Sequence, residues 1–260
     1  MKQLLKQFAM SVSPSVAGAF FASRSRRIAQ RMEERESLDK LSKQLTDKLG
    51  FKVQDGPFEG VDLPEAMANR HIGPFLLGSY ESALHNAIRR FKSEEYDSII
   101  DIGSSFGYYA VGLASLFPHV PVYAFDIDPW ARRQVKNMAK RNNLDNVHVR
   151  SACTQSALKE YSNGKSLILS DCEGYEHELF DRGITQKLHQ SDFVIEIHPP
   201  DNEEAVSSLS AAFKGSHDIS VIESDPMSMK KAFLPTDVHE TAITEYRGAG
   251  QKWLIARSSR

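Results

Sequence analysis

From Ser98 onward short apolar runs alternate with longer amphipathic stretches, and this rhythm is the strongest structural signal in the chain. The runs predict strands at Ser98 to Ile102, Val122 to Asp126, Val147 to Ser151, Ser166 to Asp171, Phe193 to Ile197, Ile219 to Ile222 and Lys252 to Ala256. Between them, apolar residues at three- and four-residue steps predict helices at Tyr108 to Leu116, Pro129 to Asn142, Gln155 to Tyr161, Glu176 to Leu188 and Asn202 to Lys214. Strands that alternate with helices predict an α/β fold: a Rossmann-like, seven-stranded, mostly parallel sheet with helices on both faces. The stretch from Glu223 to Gly250 carries no clear helix, so the last strand is expected to return antiparallel, as in a hairpin.

Ahead of that domain, assigned to 96–260, the pattern changes twice. Residues 1–50 form a polar, N-terminal helical extension whose apolar positions, Ile28, Met32, Leu38, Leu41, Leu45 and Leu49, make one stripe ending at Gly50. Such a stripe fits packing on the main domain or on a second subunit, and a homodimer is one expectation. Residues 51–95 are punctuated by Gly56-Pro57, Gly60, Pro64, Gly73-Pro74 and Gly78 before a helix predicted over Tyr80 to Phe91. That composition suits an entrance or lid segment.

Composition narrows the function classes. A 260-residue chain with 41% hydrophobic and 25% charged residues can bury a sizeable core, and its net charge of −2 gives no reason to expect a nucleic-acid partner. Cys153 and Cys172 show no metal spacing or disulfide framework, which fits a reducing, cytoplasmic setting. No apolar run approaches the roughly 20 residues of a membrane span. The nearest, Phe8 to Phe21, is short and broken by serines and Pro14; with basic residues on both sides it suits weak membrane-surface contact better than a signal peptide.

The first strand runs into "DIGSSFGYY", where Gly103 and Gly107 let backbone approach a ligand and the next helix offers free N–H groups. No Gly-Lys-Ser/Thr follows, which excludes a phosphate-cradling P-loop, and the glycine spacing is not the dinucleotide fingerprint. The second strand ends at Asp126, placed where a carboxylate accepts hydrogen bonds from ribose hydroxyls. Asp128, followed by Pro129, reads instead as a helix N-cap.

These stretches, taken in order, resemble the class I S-adenosylmethionine-dependent methyltransferases: "DIGSSFGYYAVGLA", "AFDIDPWARRQVKNMAKRNNL", "VHVRSACT" and "LILSDCEGYEHELFD". The FkbM-type members are the most similar, through "LLGSYESAL", "SDCEGYE" and "VIEIH", and the likeness spans Gly56 to His198. It implies a methyltransferase using S-adenosylmethionine, with Asp101, Gly103, Ser104, Ser105, Phe106 and Gly107 around the methionine part and Asp126 on the ribose. Ile127 would pack on the adenine, Cys153 would lie near its edge, and Glu81 would belong to a lid over the cofactor. Asp171 would face the methyl-transfer centre. Two positions depart from the family pattern: Ser105 replaces a glycine, and Cys153 and Thr154 replace an acidic partner of the adenine amine.

Asp171, Glu173, Glu176, His177, Glu196 and His198 cluster after the fourth and fifth strands. Methyl transfer to a hydroxyl requires in-line placement and loss of the hydroxyl proton. Asp171, Glu173 and His198 are therefore the catalytic candidates, with His198 as base, or with Asp171, Glu196 and His198 as ligands of a divalent metal. Tyr108, Tyr109 and Trp130 read as packing residues, Tyr108 being the exception by its place next to the loop. The expected acceptor is a small molecule or glycan, methylated on oxygen. A nicotinamide-dependent oxidoreductase would also want Asp126 but lacks the glycine spacing, and a non-catalytic S-adenosylmethionine-binding assembly module is the third reading.

Overall fold

The computed structural model describes residues 36–67, 71–198, 202–223 and 251–259. The run Phe8 to Phe21, the first two positions of the N-terminal stripe, Ile28 and Met32, and the stretch from 224 to 250 lie outside the described residues. Seven strands form one sheet: β1 (Ser98–Ile102), β2 (Val122–Phe125), β3 (Val147–Arg150), β4 (Ser166–Ser170), β5 (Asp192–Ile197), β6 (His217–Glu223) and β7 (Lys252–Ser258). Their order is β3-β2-β1-β4-β5-β7-β6. β1 to β5 pair in parallel, and β7 runs antiparallel between β5 and β6. The predicted strands thus stand within a residue or two of those found, and the last strand returns antiparallel as expected, lying between β5 and β6.

Strand residues point alternately to the two faces, and each face is apolar. Ile99, Val122, Leu167, Leu169, Val194 and Trp253 join one core cluster, while Ile100, Phe125, Ile168, Phe193, Ile195 and Leu254 join the other. A sheet covered on both sides explains why β1, β4 and β5 are buried along their whole length and read as apolar runs rather than as alternation. The first cluster also takes in Leu45 from the helix at 36–49 and Val53, Phe58, Leu63 and Leu76 from the following segment, so these pieces are anchored on the sheet's own core. Among the described residues no helix is long and apolar enough to cross a membrane.

Two helices differ from the pattern-based expectation. The stretch 176–188 forms two short helices, Glu176–Leu179 and Arg182–Lys187, because Asp181 turns extended and its Oδ1 accepts the Ile184 N–H at 2.8 Å, capping a new helix start. The helix predicted over Tyr80 to Phe91 is an α-helix only at His85–Phe91, preceded by a 3-10 turn at Ser82–Leu84. Glu81 interrupts it in the left-handed region at φ 45°, while its side chain is buried against Tyr109.

Candidate functional site

All five parallel strands end at the same edge of the sheet, and a cavity of about 920 Å³ opens beyond β1 to β4. Its floor is the loop after β1. Gly103 N–H and Ser104 N–H both donate to the Phe125 carbonyl, at 2.9 and 3.0 Å, which ties the loop to the end of β2. On the other side the Asp171 N–H donates to the Ile102 carbonyl at 2.9 Å. Gly103 is squeezed between these strand ends: at φ 81°, a Cβ there would stand 1.7 Å from the Asp171 carbonyl oxygen.

Ser105 occupies the left-handed region at φ 49°, the conformation for which a glycine is the usual residue. Its N–H donates to Asp126 Oδ2 at 2.8 Å, and the Asp128 N–H donates to Oδ1 of the same carboxylate at 2.8 Å. Each Asp126 oxygen keeps a further lone pair for a ligand hydroxyl. Arg132 steadies this corner from the next helix, Pro129–Arg141, by donating to the carbonyls of Asp126 and Ile127 at 2.8 and 2.9 Å. Asp128 caps that helix through the Trp130 N–H, as its Asp-Pro context predicted.

Ile127 lines the cavity with 82% of its surface exposed, which leaves an apolar face there for a ligand to cover. Cys153 lies opposite, buried, and burial pushes its thiol up to about 12, so it acts as an uncharged wall. Asp101 stands beneath the loop at 1% exposure, and its Oδ2 has no hydrogen-bond partner among the described residues. Burial, helped by the charges of Asp171 and Asp126, pushes this carboxyl up to about 7. Asp101 is among the residues that line the cavity, and a buried carboxyl oxygen without a partner calls for a donor, preferably a cationic one.

The entrance segment closes another side. Phe75 and Tyr80 stack on each other and both meet Tyr108 edge-to-face, with Phe106 edge-on to Phe75, and together they form an aromatic wall. Tyr108 is therefore both core and cavity wall, and Tyr109 lines the cavity too. The Tyr109 hydroxyl donates to Glu81 Oε2, which places Glu81 behind the wall rather than on it. Trp130 also lines the cavity. Pattern reading assigned Tyr109 and Trp130 to packing, with Tyr108 the exception, because a core aromatic and a cavity-wall aromatic share the same spacing.

At the end of β4 and β5 the acidic cluster forms around His198. Its Nε2 lies 3.3 Å from Asp171 Oδ1, 3.7 Å from Glu173 Oε2 and 3.7 Å from Glu196 Oε1, while Nδ1 lies 3.0 Å from Glu176 Oε1. Glu176 is buried and also accepts the Cys172 N–H at 3.0 Å. Burial would lower the His198 pKa, but hydrogen bonds to Asp171 and Glu176 and the charges of Glu176 and Glu196 outweigh it and push it up to about 10. That setting does not suit the expected role of free base, because near neutrality the ring already holds the proton it would have to take. Asp171 and Glu173 line the cavity, whereas His198 stands behind Asp171, and His177 is exposed.

No protein-family model matches the chain, and no curated protein matches it. Solved structures do. The METTL16 MTase domain superposes with a TM-score of 0.51 at 16% identity, covering 93% of this chain and 92% of that one. A precorrin-6y C5,15-methyltransferase from Geobacter metallireducens GS-15 gives 0.43 at 15% identity over 66% of this chain and 87% of its own. M. jannaschii TYW2 in complex with AdoMet gives 0.41 at 15% identity over 67% and 74%. At these identities the likeness concerns the fold, and the fold is the Rossmann-like α/β architecture of methyltransferases.

Proposed function

We propose that this chain is an S-adenosylmethionine-dependent methyltransferase of the FkbM type that methylates an oxygen of a small molecule or a sugar. The observation that carries the reading is that Asp101, whose buried Oδ2 has no hydrogen-bond partner among the described residues, lines the cavity together with Asp126 and Ile127. Those three groups match the three parts of the cofactor: an ammonium for Asp101, ribose hydroxyls for Asp126 and a flat ring for Ile127. The backbone of 103–107 would hold the methionine part, and Cys153 would border the adenine. When bound, S-adenosylmethionine supplies an electrophilic methyl group on a sulfonium.

The chain's own residues would then orient an acceptor hydroxyl and manage its proton. Asp171 and Glu173 reach the cavity, and either carboxylate can accept a hydrogen bond from that hydroxyl and pass its proton to water. The aromatic wall of Phe75, Tyr80 and Phe106 excludes water and offers faces on which a ring or a sugar can stack.

Titration calorimetry tests the cofactor assignment. S-adenosylmethionine should bind saturably and NAD should give no heat; the opposite pattern would overturn the assignment. Radiolabelled methyl transfer to a panel of hydroxylated small molecules and glycans then tests the acceptor class.

A further inference from the structure

Deepening that reading, we infer that His198, Asp171 and Glu196 form a divalent-cation site, with Glu173 at its open side and Glu176 as the group that positions the imidazole. One donor atom from each of Asp171, Glu196 and His198 lies within 4.8 Å of the others. From His198 Nε2, carboxylate oxygens of Asp171, Glu173 and Glu196 stand at 3.3, 3.7 and 3.7 Å. Donor atoms that share one ion at about 2.1 Å are separated by roughly 3 to 3.5 Å, so a small contraction seats a cation among them.

The imidazole distinguishes this group from a chance gathering of acids. Its Nδ1 faces Glu176 Oε1 at 3.0 Å, deep in the protein, and a carboxylate there fixes the proton on Nδ1. A cation entering there would displace the Nε2 proton to solvent, and Nε2 would then meet it beside the oxygens of Asp171, Glu173 and Glu196, with the Nδ1 bond to Glu176 kept. This is the outer hydrogen bond by which proteins orient a metal-binding histidine. Glu176 is in turn held by the Cys172 N–H, at the turn that carries Asp171 and Glu173. Strand pairing makes the convergence rigid: Ser170 stands opposite Ile195 in the β4–β5 register, so Asp171, one residue beyond β4, faces Glu196.

One nitrogen with several carboxylate oxygens is the donor set of a hard ion of the Mg2+ or Mn2+ class, and Mn2+ is the practical probe. Because Asp171 also lines the cavity, the ion would stand next to it, and an acceptor hydroxyl reaching that wall could complete the coordination. That role rests on the methyltransferase reading, whereas the cation site itself does not.

The test uses the full chain, stripped with a chelator and titrated with Mn2+ under electron paramagnetic resonance. One Mn2+ per chain should bind, with nitrogen modulation from a coordinated imidazole. His198→Ala should abolish the modulation, Glu196→Gln should weaken binding at least tenfold, and Glu176→Gln should weaken it about 10- to 100-fold while keeping every ligand. Far-UV dichroism and melting of each variant show whether it is folded. Absence of bound Mn2+ at millimolar concentration, or binding without nitrogen modulation in the folded wild-type chain, would overturn the site. Calorimetry with S-adenosylmethionine on the same samples separates the two readings: cofactor binding without Mn2+ ends the cation site alone, and Mn2+ binding without cofactor keeps it while ending the methyltransferase reading.

Discussion

Asp126 holds two backbone N–H groups while facing the cavity, so its removal acts on loop and ligand together. Asp126→Ala should weaken S-adenosylmethionine binding by more than about tenfold in calorimetry, since charge-assisted hydrogen bonds are lost. Stability should fall by less than about 1 kcal/mol in urea, because the freed Ser105 and Asp128 N–H groups lie in exposed residues and can turn to water. An unchanged affinity would count against the ribose assignment. The same bond gives a reason why Ser105 is tolerated in a left-handed conformation that favours glycine: a partner for its N–H offsets part of the backbone's cost.

His85 makes a second residue-scale prediction. It is buried under the entrance segment, with Nε2 3.3 Å from the Tyr80 carbonyl, and burial lowers its pKa from 6.5 to about 4. The folded state therefore resists protonation that the unfolded chain accepts. This contribution to stability is complete above pH 6.5 and declines as pH falls from 6.5 toward 4. The full decline is on the order of 3 kcal/mol. Urea midpoints measured between pH 7.5 and 4.5 should show a steeper fall for the natural chain than for His85→Gln, and parallel curves would remove His85 as the cause.

At the scale of elements, the site depends on how closely two strand ends approach. Gly103→Ala would put a methyl group on the Asp171 carbonyl, in a backbone region that also disfavours alanine. We expect a loss of about 3 kcal/mol or more in urea unfolding, together with loss of cofactor binding, since β1 and β4 would have to part. Full retention of both would mean that the loop has room the structure does not show. The elements also mark where sequence pattern runs short. Apolar spacing alone cannot separate one helix over 176–188 from two, because Leu179, Ile184 and Leu188 satisfy either, and the Asp181 cap decides.

For the molecule as a whole, the two tryptophans report on different events. Trp253 is buried on β7 between β5 and β6, while Trp130 lines the cavity. S-adenosylmethionine should change the fluorescence of Trp130 only, so Trp130→Phe should lose the binding signal yet keep the unfolding transition that Trp253 reports. A binding signal that survives Trp130→Phe would place the ligand elsewhere.

What the sequence determined by itself was local: seven apolar runs, the glycine-bearing loop after the first, the Asp-Pro helix start and the acidic residues at two strand ends. Each depends on near neighbours along the chain, through backbone preference, capping and alternation. Tertiary structure decided the rest. The insertion of β7 beside β5, the convergence of four carboxylates on His198 and the placing of Tyr108 and Tyr109 on a cavity wall all join residues far apart in sequence. Sheet register and core packing set those meetings, and neither leaves a periodic trace in the order of residues.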